Sequence, residues 1–217
     1  MVLTAPPVEF EPALDYRHEI TARPGRVRLL VVPERRYLMI DGADDPGSTG
    51  FGEAITTLYP VAYTLHFALK RRRVTAPVGA LEGLYWIGEP RPITAADFAA
   101  TAGERTAWSW CLMLPVPDEA TDADFASAID EVFAKKRPPL LDQLRCEAWE
   151  EGRVAQILHI GPYAAEAPTI ERLHRAIAEA GLRPRGCHHE IYIGDPNRTA
   201  PDRLKTLIRQ PVEVMDR

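Results

Sequence analysis

Cysteine is scarce in this 217-residue chain, and the three that occur, Cys111, Cys146 and Cys187, show no CxxC spacing. Each lies within or beside an apolar, strand-like run. An odd number of cysteines in such surroundings favours small buried apolar side chains over a disulfide framework. The pattern fits a reducing compartment.

Long apolar runs are also missing. No stretch approaches the roughly 18 to 20 apolar residues of a membrane-spanning helix, and the first residues lack a basic and apolar leader. We therefore expect no membrane contact and a cytoplasmic location.

The chain has no excess of positive charge. Its 26 Lys and Arg against 31 Asp and Glu give a formal net charge of −5 and a pI near 5.7. Such a protein exerts no long-range attraction on nucleic acid phosphates. The basic run at residues 70–73 is typical of the last turn of a helix, where positive charge complements the helix dipole. Direct nucleic-acid binding is not expected.

Several catalytic and cofactor motifs are absent. The chain has no GxSxG nucleophile motif, no P-loop and no GxGxxG, and no cysteine has a flanking sequence that suggests activation. His188 and His189 precede Glu190, but adjacent strand residues point to opposite faces, and no third ligand stands at a recognisable spacing. We predict neither a cofactor nor a metal site.

The composition that is present, 46% hydrophobic and 26% charged, is ordinary for a globular protein and suffices for a sizeable core. Residues 1 to about 25 are rich in proline and charge and predict a loosely attached arm. Residues 26–217 are predicted to form a single domain, with an early strand at residues 26–32.

A first module is predicted at about residues 37–114, in the order strand, helix, strand, strand. Its helix starts near Phe51 and has apolar residues at helical spacing, and Pro60 should kink it or divide it in two. The strands are predicted at residues 37–42, 78–87 and 108–114.

A connector helix follows at about residues 122–137. Thr121 and Asp124 resemble a helix-capping pair, and the apolar face of this helix is predicted to consist of Phe125, Ile129 and Phe133.

A second module, at about residues 154–212, repeats the order of the first. Its helix is predicted at residues 169–180 and ends at Gly181. Its strands are predicted at residues 154–160, 188–194 and 205–210. The repeated order indicates an internal duplication.

Two carboxylates interrupt apolar strands. Glu190 lies in such a run, where an ionised side chain is costly unless a partner or ligand compensates it. Alternation along the earlier strand places Glu82 on one face with Leu84 and Trp86. Glu190 is the first candidate for a functional site and Glu82 the second. A structural pairing with an arginine is the alternative for Glu82.

Large aromatic side chains occur close to these acids in the sequence. A cleft with aromatic walls and an acid at its floor would suit a flat apolar or cationic organic molecule. The candidates for its walls are Tyr63, Tyr85, Trp86, Trp108, Trp110 and Tyr192.

The last third of the chain resembles the GyrI-like family of ligand-binding domains. The matching residues are Gly161-Pro162-Tyr163, Gly181-Leu182, Glu190-Ile191-Tyr192, Asp195-Pro196, Leu204-Lys205-Thr206 and Pro211-Val212. The resemblance implies an α+β fold of two strand-helix-strand-strand modules related by pseudo-twofold symmetry. Their antiparallel sheet would carry the helices on one face, with a ligand cleft between the modules.

Some relatives implied by this resemblance are multidrug-sensing regulators fused to a DNA-binding domain. The present chain leaves no room for a helix-turn-helix domain. The resemblance is therefore to a standalone, sensor-type member. No residue supports a protein partner, which is suggested only by the family's namesake, an inhibitor of a topoisomerase.

The resemblance leaves two functions open. In the first, the domain binds aromatic, apolar or cationic small molecules, and Glu190 offsets their positive charge. In the second, it is a hydrolase that opens the cyclopropane of DNA-alkylating cyclopropanoids, because Tyr85-Trp86 resembles the motif of such members. A carboxylate of raised pKa, Glu190 or else Glu82, would then deprotonate water, while a tyrosine hydroxyl supports charge on the carbonyl oxygen.

Overall fold

The computed structural model describes residues 8–93, 97 and 108–215, which adopt a mixed α+β fold as the sequence predicts. The strands are β1 (Glu11–Pro12), β2 (Arg28–Val32), β3 (Arg35–Ala43), β4 (Leu81–Ile87), β5 (Trp108–Pro115), β6 (Arg145–Trp149), β7 (Gly152–Ile160), β8 (Leu182–Pro184), β9 (His188–Tyr192) and β10 (Lys205–Val214). The α-helices are α1 (Tyr16–Glu19), α2 (Thr49–Arg71), α3 (Asp122–Lys135) and α4 (Ala167–Glu179).

One sheet connects these strands in the order β1-β2-β7-β10-β9-β4-β5-β3-β6, and β8 pairs with β10. The strands β4 and β9, which meet in the middle, come from the two predicted modules. Outward from this pair, β5 and β3 follow β4, while β10 and β7 follow β9. Two modules joined edge to edge would give this order, and the rotation that relates them stays a prediction.

The helix α2 is continuous through Pro60, so the predicted division into two helices does not occur. Ser48 caps its first turn, since its hydroxyl accepts a hydrogen bond from the amide of Phe51 at 3.1 Å. Of the apolar residues whose spacing predicts this helix, Leu58, Ala62, Leu65 and Leu69 are buried, and Phe51 and Ile55 are half-buried against the same core. No helix in the described part of the chain is long and apolar enough to cross a membrane.

The connector helix α3 begins as predicted. The hydroxyl of Thr121 accepts from the amide of Asp124 at 3.2 Å, and the Asp124 carboxylate accepts from the amide of Thr121 at 2.9 Å. Its buried residues are Ala128 and Val132, whereas Phe133 is 55% exposed. The prediction of Phe133 on the apolar face was wrong, because the helix turns the neighbouring Val132 toward the core.

The helix α4 packs a second core against β7 and β10. Ile170, Leu173 and Ile177 are fully buried against Ile157 and Ile208. Gly181 follows the helix with a φ of +70°, the left-handed conformation that glycine adopts without strain. The predicted end of this helix is therefore confirmed.

The short strands β6 and β8 were not predicted. The strand β6 pairs with β3 at one end of the sheet, and its sequence, RCEAW, has no apolar run. The strand β8 is three residues long and pairs with the end of β10. Neither segment carries a local pattern strong enough to identify it, because each owes its conformation to the strand it pairs with.

The described part of the N-terminal arm is anchored to the sheet, in contrast to the loose attachment that its composition suggested. Glu19 of α1 is fully buried and pairs with Arg209 Nη1 at 2.9 Å and with Arg35 Nε at 2.9 Å. The hydroxyl of Tyr16 donates to Glu82 at 2.8 Å. The arm thus closes the face of the sheet that carries Arg209 and Glu82.

A buried ion network extends from this contact along the face of the sheet that the N-terminal arm covers. Arg209 Nη1 also pairs with Glu151 at 2.8 Å, and His189 contacts Glu151 through Nδ1 and Glu82 through Nε2, both at 3.0 Å. Since each ring nitrogen of His189 faces a carboxylate, the imidazole donates from both and is protonated. The carboxylates of Glu19, Glu82 and Glu151 are balanced by Arg209, Arg35 and the imidazolium.

Candidate functional site

The strands β4 and β9 lie in the middle of the sheet, between the strands that α2 covers and those that α4 covers. The helix α2 packs mainly on β3 and β5, and α4 packs on β7 and β8. In the β4–β9 pair between them, Gly83 stands opposite Glu190. On the other side of β9, Glu190 pairs with Ile208, which packs against α4. Glu190 therefore points to the helix-covered face, at the junction of the two modules.

Two tyrosine hydroxyl groups meet beside Glu190. Tyr192 donates a hydrogen bond to Glu190 Oε2 at 2.8 Å, and the hydroxyl groups of Tyr85 and Tyr192 are hydrogen-bonded to each other. The side chain of Tyr85 passes over Gly83, where a Cβ atom would lie only 2.7 Å from its ring and its hydroxyl. Any side chain at position 83 would displace Tyr85 and break this chain of hydrogen bonds.

The other oxygen of Glu190 lies 3.2 Å from His188 Nε2. Glu166, from the turn before α4, is a further neighbour that favours the ionised form of Glu190. Burial raises the pKa of Glu190. The hydrogen bond and charge of His188, followed by the effects of Tyr192 and Glu166, lower it by more than burial raises it. The pKa of Glu190 consequently lies below its ordinary value, contrary to the raised pKa expected for a catalytic base.

Tyr163 completes this group from the turn that follows β7. Its ring stands edge-on to that of Tyr192, with centroids 5.6 Å apart. Burial, followed by the charges of Glu190, Glu166 and Asp195, raises the pKa of Tyr163 to about 12. Burial and then the charge of Glu190 likewise raise the pKa of Tyr85 and of Tyr192 well above the ordinary value. All three phenols keep their protons at neutral pH.

The two tryptophans of β5 share a face, as predicted, but have different surroundings. Trp108 is edge-on to Tyr85, with centroids 6.2 Å apart, and so borders the acidic group. Trp110 instead donates through Nε1 to Asp44 at 2.9 Å, and its ring fills the space beside Gly42. The structure thus brings Trp108 to Tyr85, a member of the group around Glu190, and places Trp110 in the core below α2.

Glu82 and Trp86 lie on the opposite face of the sheet from Glu190. Glu82 pairs across the strands with Ile191, one position away from the Gly83–Glu190 pair. Its carboxylate belongs to the buried ion network, and Trp86 packs with Leu84 on the same face. The two acids proposed from the sequence therefore do not share a cavity.

Tyr63 lies on the outer surface of α2, where it is 49% exposed. Its ring stacks between those of Tyr59 and Phe67, at centroid distances of 6.1 and 6.4 Å. Burial, then the neighbouring Tyr63 and Asp195, raises the pKa of Tyr59, so Tyr59 lies near the loop after β9. Among the described residues, the ring contacts of Tyr63 are with Tyr59 and Phe67, and neither belongs to the group around Glu190.

An open groove of about 540 Å³ runs beside the same part of α2. It lies between Ile55, Thr56, Tyr59 and Pro60 and the segment that follows α3, residues 136–139. Its lining contains no member of the group around Glu190, so it is a separate surface feature.

Sequence reasoning missed Glu166 and gave His188 and Tyr163 no part in a ligand site. Glu166 stands outside any strand, where burial cannot be read from alternation. Tyr163 was visible only as part of the Gly161-Pro162-Tyr163 motif. The signal for His188 was its i, i+2 relation to Glu190, which places both on one strand face.

No group of three or more His, Cys, Asp or Glu that could hold a metal ion occurs within residues 8–93, 97 and 108–215. The three thiols are also poor nucleophiles, because burial raises the pKa of Cys111, Cys146 and Cys187.

The fold and its site define a ligand-binding class of α+β domain, in which helices cover one face of the sheet and an acid lies between the two halves. The chain belongs to the GyrI-like family. The model described as the GyrI-like small molecule binding domain matches residues 95–213, more than half of the chain. Small-molecule binding is thus the function of the domain at the level of the family.

Solved structures agree with this assignment. An uncharacterized conserved protein from Listeria innocua is 30% identical, with a TM-score of 0.78, over 88% of this chain and 94% of its own. Another structure, described as a hydrolase from Listeria innocua, is 27% identical, with a TM-score of 0.75, over 93% and 99%. The C-terminal domain of EcmrR, at 12% identity, a TM-score of 0.54 and coverage of 88% and 98%, shares the fold. A search of curated proteins gave no match.

Proposed function

We propose that the region around Glu190, on the helix-covered face of the β4–β9 pair, binds aromatic, apolar or cationic organic molecules. Glu190 is the group that attracts positive charge. The burial of Glu190 at the junction of the two modules, 8% exposed and hydrogen-bonded to Tyr192, carries this proposal. The ligand would then meet an acid whose own hydrogen-bond partners are the imidazole of His188 and the phenol of Tyr192.

A comparison of the two faces of the sheet supports the role of Glu190. On the face that the N-terminal arm covers, His189 contacts both Glu82 and Glu151, and Arg209 adds a permanent positive charge. On the helix face, the strongest electrostatic influences on Glu190 come from His188, Tyr192 and Glu166, none of which is a permanent cation. A buried anion with such neighbours gains most from a cationic ligand.

The surrounding rings support the aromatic part of the proposal. Tyr85, Tyr163 and Trp108 lie around Glu190 and present faces and edges to which a flat cation can be attracted. Tyr63, Trp86 and Trp110 lie outside this group, and so we assign the direct contacts to Tyr85, Trp108, Tyr163 and Tyr192. The net charge of −5 favours a cationic ligand over a nucleic acid.

Glu190→Gln should weaken the binding of an aromatic cation about 10- to 100-fold, the range that follows from losing one charge-assisted contact of about 1.5–3 kcal/mol. The measurement is a titration of 1-methylquinolinium followed by tryptophan fluorescence and calorimetry. Its neutral analogue of similar shape, 1-methylnaphthalene, should change affinity less than about threefold, because glutamine preserves the volume of the site.

Glu131→Gln is the matched control, since Glu131 is exposed on α3 and pairs with Lys135 in a surface contact. This variant should bind both compounds like the wild type. An equal loss of affinity for cation and neutral analogue in Glu190→Gln would contradict the electrostatic role, and binding of neither compound to the wild type would contradict the proposed function.

Hydrolysis is the second candidate, favoured by the carboxyl group of Glu190 next to the Tyr192 hydroxyl and by the Listeria innocua structure described as a hydrolase. Glu190, ionised because its pKa is lowered, would orient water, and the protonated phenols would donate to a growing oxyanion. A cyclopropanoid is the substrate class that the Tyr85-Trp86 resemblance implies, although only Tyr85 lies beside Glu190.

Under this second candidate, incubation with a duocarmycin-type cyclopropanoid should give a ring-opened product with the mass of one added water. Mass spectrometry of the mixture distinguishes turnover from binding. Glu190→Gln should reduce the rate by about 10² or more, the scale of a positioned acid–base group. Recovery of unchanged compound from a stoichiometric complex would exclude catalysis on that substrate.

A further inference from the structure

We propose that the groove between α2 and residues 136–139 is a second binding site, which takes an aromatic organic anion such as an aryl sulfonate or an aryl carboxylate. This site is separate from the region around Glu190 and does not rest on the function proposed for that region. The groove has a volume of about 540 Å³, within the range of roughly 300–1,000 Å³ that is usual for small-molecule sites. It is therefore large enough for a fused aromatic ring with a charged group.

The lining of the groove is mainly apolar and aromatic. Ile55, Tyr59 and Pro60 line it from α2, and Pro138 and Pro139 line it from the segment after α3. Flat side chains of this kind bind a planar ring through apolar contact and stacking. The walls thus favour a ligand with an aromatic ring.

An exposed aromatic surface continues from the groove along α2. Tyr59, in the lining, stacks on Tyr63 with centroids 6.1 Å apart, and Tyr63 stacks on Phe67 at 6.4 Å. The exposed fractions of Tyr63 and Phe67 are 49% and 50%. A contiguous exposed apolar patch is typical of a binding surface, whereas single exposed apolar residues are ordinary.

The charged residues of the lining are both basic. Lys136 and Arg137 are exposed, and no acid is among the residues that line the groove. Within the part of the chain that the structure describes, neither side chain belongs to an ion pair, whereas Lys135 pairs with Glu131 at 2.7 Å. The guanidinium of Arg137 lies 5.0 Å from the centroid of the Phe133 ring, a contact that leaves its charge in place. A bound anion would balance these two charges.

The local charges outweigh the two effects that oppose an anion. The C-terminal end of a helix such as α3 carries about half a negative charge, against two full positive charges on Lys136 and Arg137. The net charge of −5 is spread over the whole chain, and at physiological salt charges beyond about 8 Å are largely screened. The potential in the groove is therefore positive.

The chain offers a matched pair of positions for testing this charge. Arg137 follows the cap of α3 with a φ of +44°, and Arg73 follows the cap of α2 with a φ of +64°. Both arginines are exposed, and both occupy the left-handed conformation in which glycine is the usual residue after a helix. Only Arg137 lines the groove. Glycine at either position removes the charge without straining the backbone.

Calorimetric titration of the full chain at pH 7 with 2-naphthalenesulfonate, and with naphthalene-2-sulfonamide as the uncharged analogue, measures the affinity of the groove. We expect the wild type to bind the sulfonate more tightly than the sulfonamide. Raising the NaCl concentration from about 0.02 to about 0.5 M should weaken binding of the sulfonate alone, because salt screens exposed charges.

Arg137→Gly should weaken sulfonate binding about two- to fivefold, the range for one exposed ionic contact, and should leave sulfonamide binding unchanged. Arg73→Gly should bind both compounds like the wild type. Arg137→Lys, which keeps the charge, should stay within about twofold of the wild type. Adding Lys136→Gln to Arg137→Gly should weaken sulfonate binding about 4- to 25-fold. Urea unfolding should give both glycine variants a midpoint no lower than that of the wild type.

Thr56→Trp tests the location of the site. Thr56 is exposed on α2 and lines the groove, so an indole at this position should fill the space and abolish binding of both naphthalene compounds. Binding of 1-methylquinolinium, which we assign to the region around Glu190, should stay unchanged. The result for the groove is therefore independent of the result for the proposed function.

Four results would overturn the anion site. They are a wild type that does not bind the sulfonate, an equal loss of affinity for sulfonate and sulfonamide in Arg137→Gly, equal effects of Arg73→Gly and Arg137→Gly, and undiminished binding to Thr56→Trp. Sedimentation provides a further check. A wild-type dimer that Thr56→Trp dissociates would assign the groove to a contact between two copies of the chain and would also overturn the proposal.

Discussion

Arg209→Met should lower the free energy of unfolding by about 3–5 kcal/mol, the usual cost of removing one partner from a buried ion pair. Arg209 is fully buried, and its guanidinium is within 2.9 Å of both Glu19 and Glu151. Methionine fills much of the same volume but leaves the buried Glu151 without a permanent cation and leaves Glu19 with Arg35 alone. Urea unfolding at neutral pH, followed by circular dichroism, gives the difference.

Arg183→Met is the matched control, because Arg183 pairs with Glu213 at 2.8 Å with both side chains largely exposed. Its effect should stay below about 1 kcal/mol. Arg209→Lys, which retains the charge but not the planar fork of donors, should fall between the two. Equal stability of Arg209→Met and wild type would show that the network contributes nothing to stability.

The stability of the protein should be greatest between about pH 4.5 and 6.5, the ordinary pKa values of Glu and His, because the buried pair Glu151–His189 is shifted in opposite directions. Burial raises the pKa of Glu151, but His189 and Arg209 outweigh it and lower this pKa to about 2. Burial lowers the pKa of His189, but Glu151 and Glu82 outweigh it and raise this pKa to about 9.

The signs follow from linkage. The stabilisation from Glu151 is present above its unfolded pKa of 4.5 and is lost as the pH falls toward 2. The stabilisation from His189 is present below its unfolded pKa of 6.5 and is lost as the pH rises through about 9. Each limb corresponds to roughly 3 kcal/mol, and the attraction between the two residues is counted in both.

Urea unfolding at a series of pH values measures this profile. His189→Gln should be less stable at pH 6 and should lose the decline between pH 7 and 9.5, because glutamine does not titrate. His18→Gln, at a partly exposed surface ion pair with Glu11, should keep the decline. A wild-type free energy of unfolding that is constant from pH 6 to 9.5 would contradict a protonated His189.

These two expectations concern the face of the sheet that faces away from the site, and they have a bearing on function. The network joins α1, β3, β4, β9 and β10 through fixed charges, so it holds β4 and β9 in register from below. Tyr85, on β4, and Glu190, on β9, meet above that pair of strands. A rigid ion network on the arm-covered face therefore positions Tyr85 and Glu190 on the helix-covered face.

Much of the architecture follows from local patterns in the sequence. The stripe of Leu58, Ala62, Leu65 and Leu69 identifies α2 because burial of one face leaves a helical period. The capping residues Thr121 and Asp124 set the start of α3, and Gly181 sets the end of α4, since these positions depend on local hydrogen bonds and φ. The strands β6 and β8 could not be predicted from the sequence, because neither has a comparable local pattern.

The placement of the site residues was likewise predictable in part from the sequence and in part only from the strand pairing. Alternation correctly separated Glu82 and Trp86 from Tyr85 on β4, because successive side chains of a strand point to opposite faces. It could not tell that Glu190 shares the face of Tyr85, since that depends on the register between β4 and β9. A pairing shifted by one residue would have placed Glu190 beside Glu82.

The sequence alone determined that Glu190 lies in a strand where an acid is costly, that aromatic residues are close to it in the chain, and that the pattern resembles a GyrI-like domain. Only the tertiary structure decided which acids are neutralised. Strand pairing brings Glu82 to His189, and the packing of β10 brings Arg209 to Glu151. Whether a buried carboxylate is balanced by an arginine or a histidine depends on contacts between distant segments, and no local pattern records them.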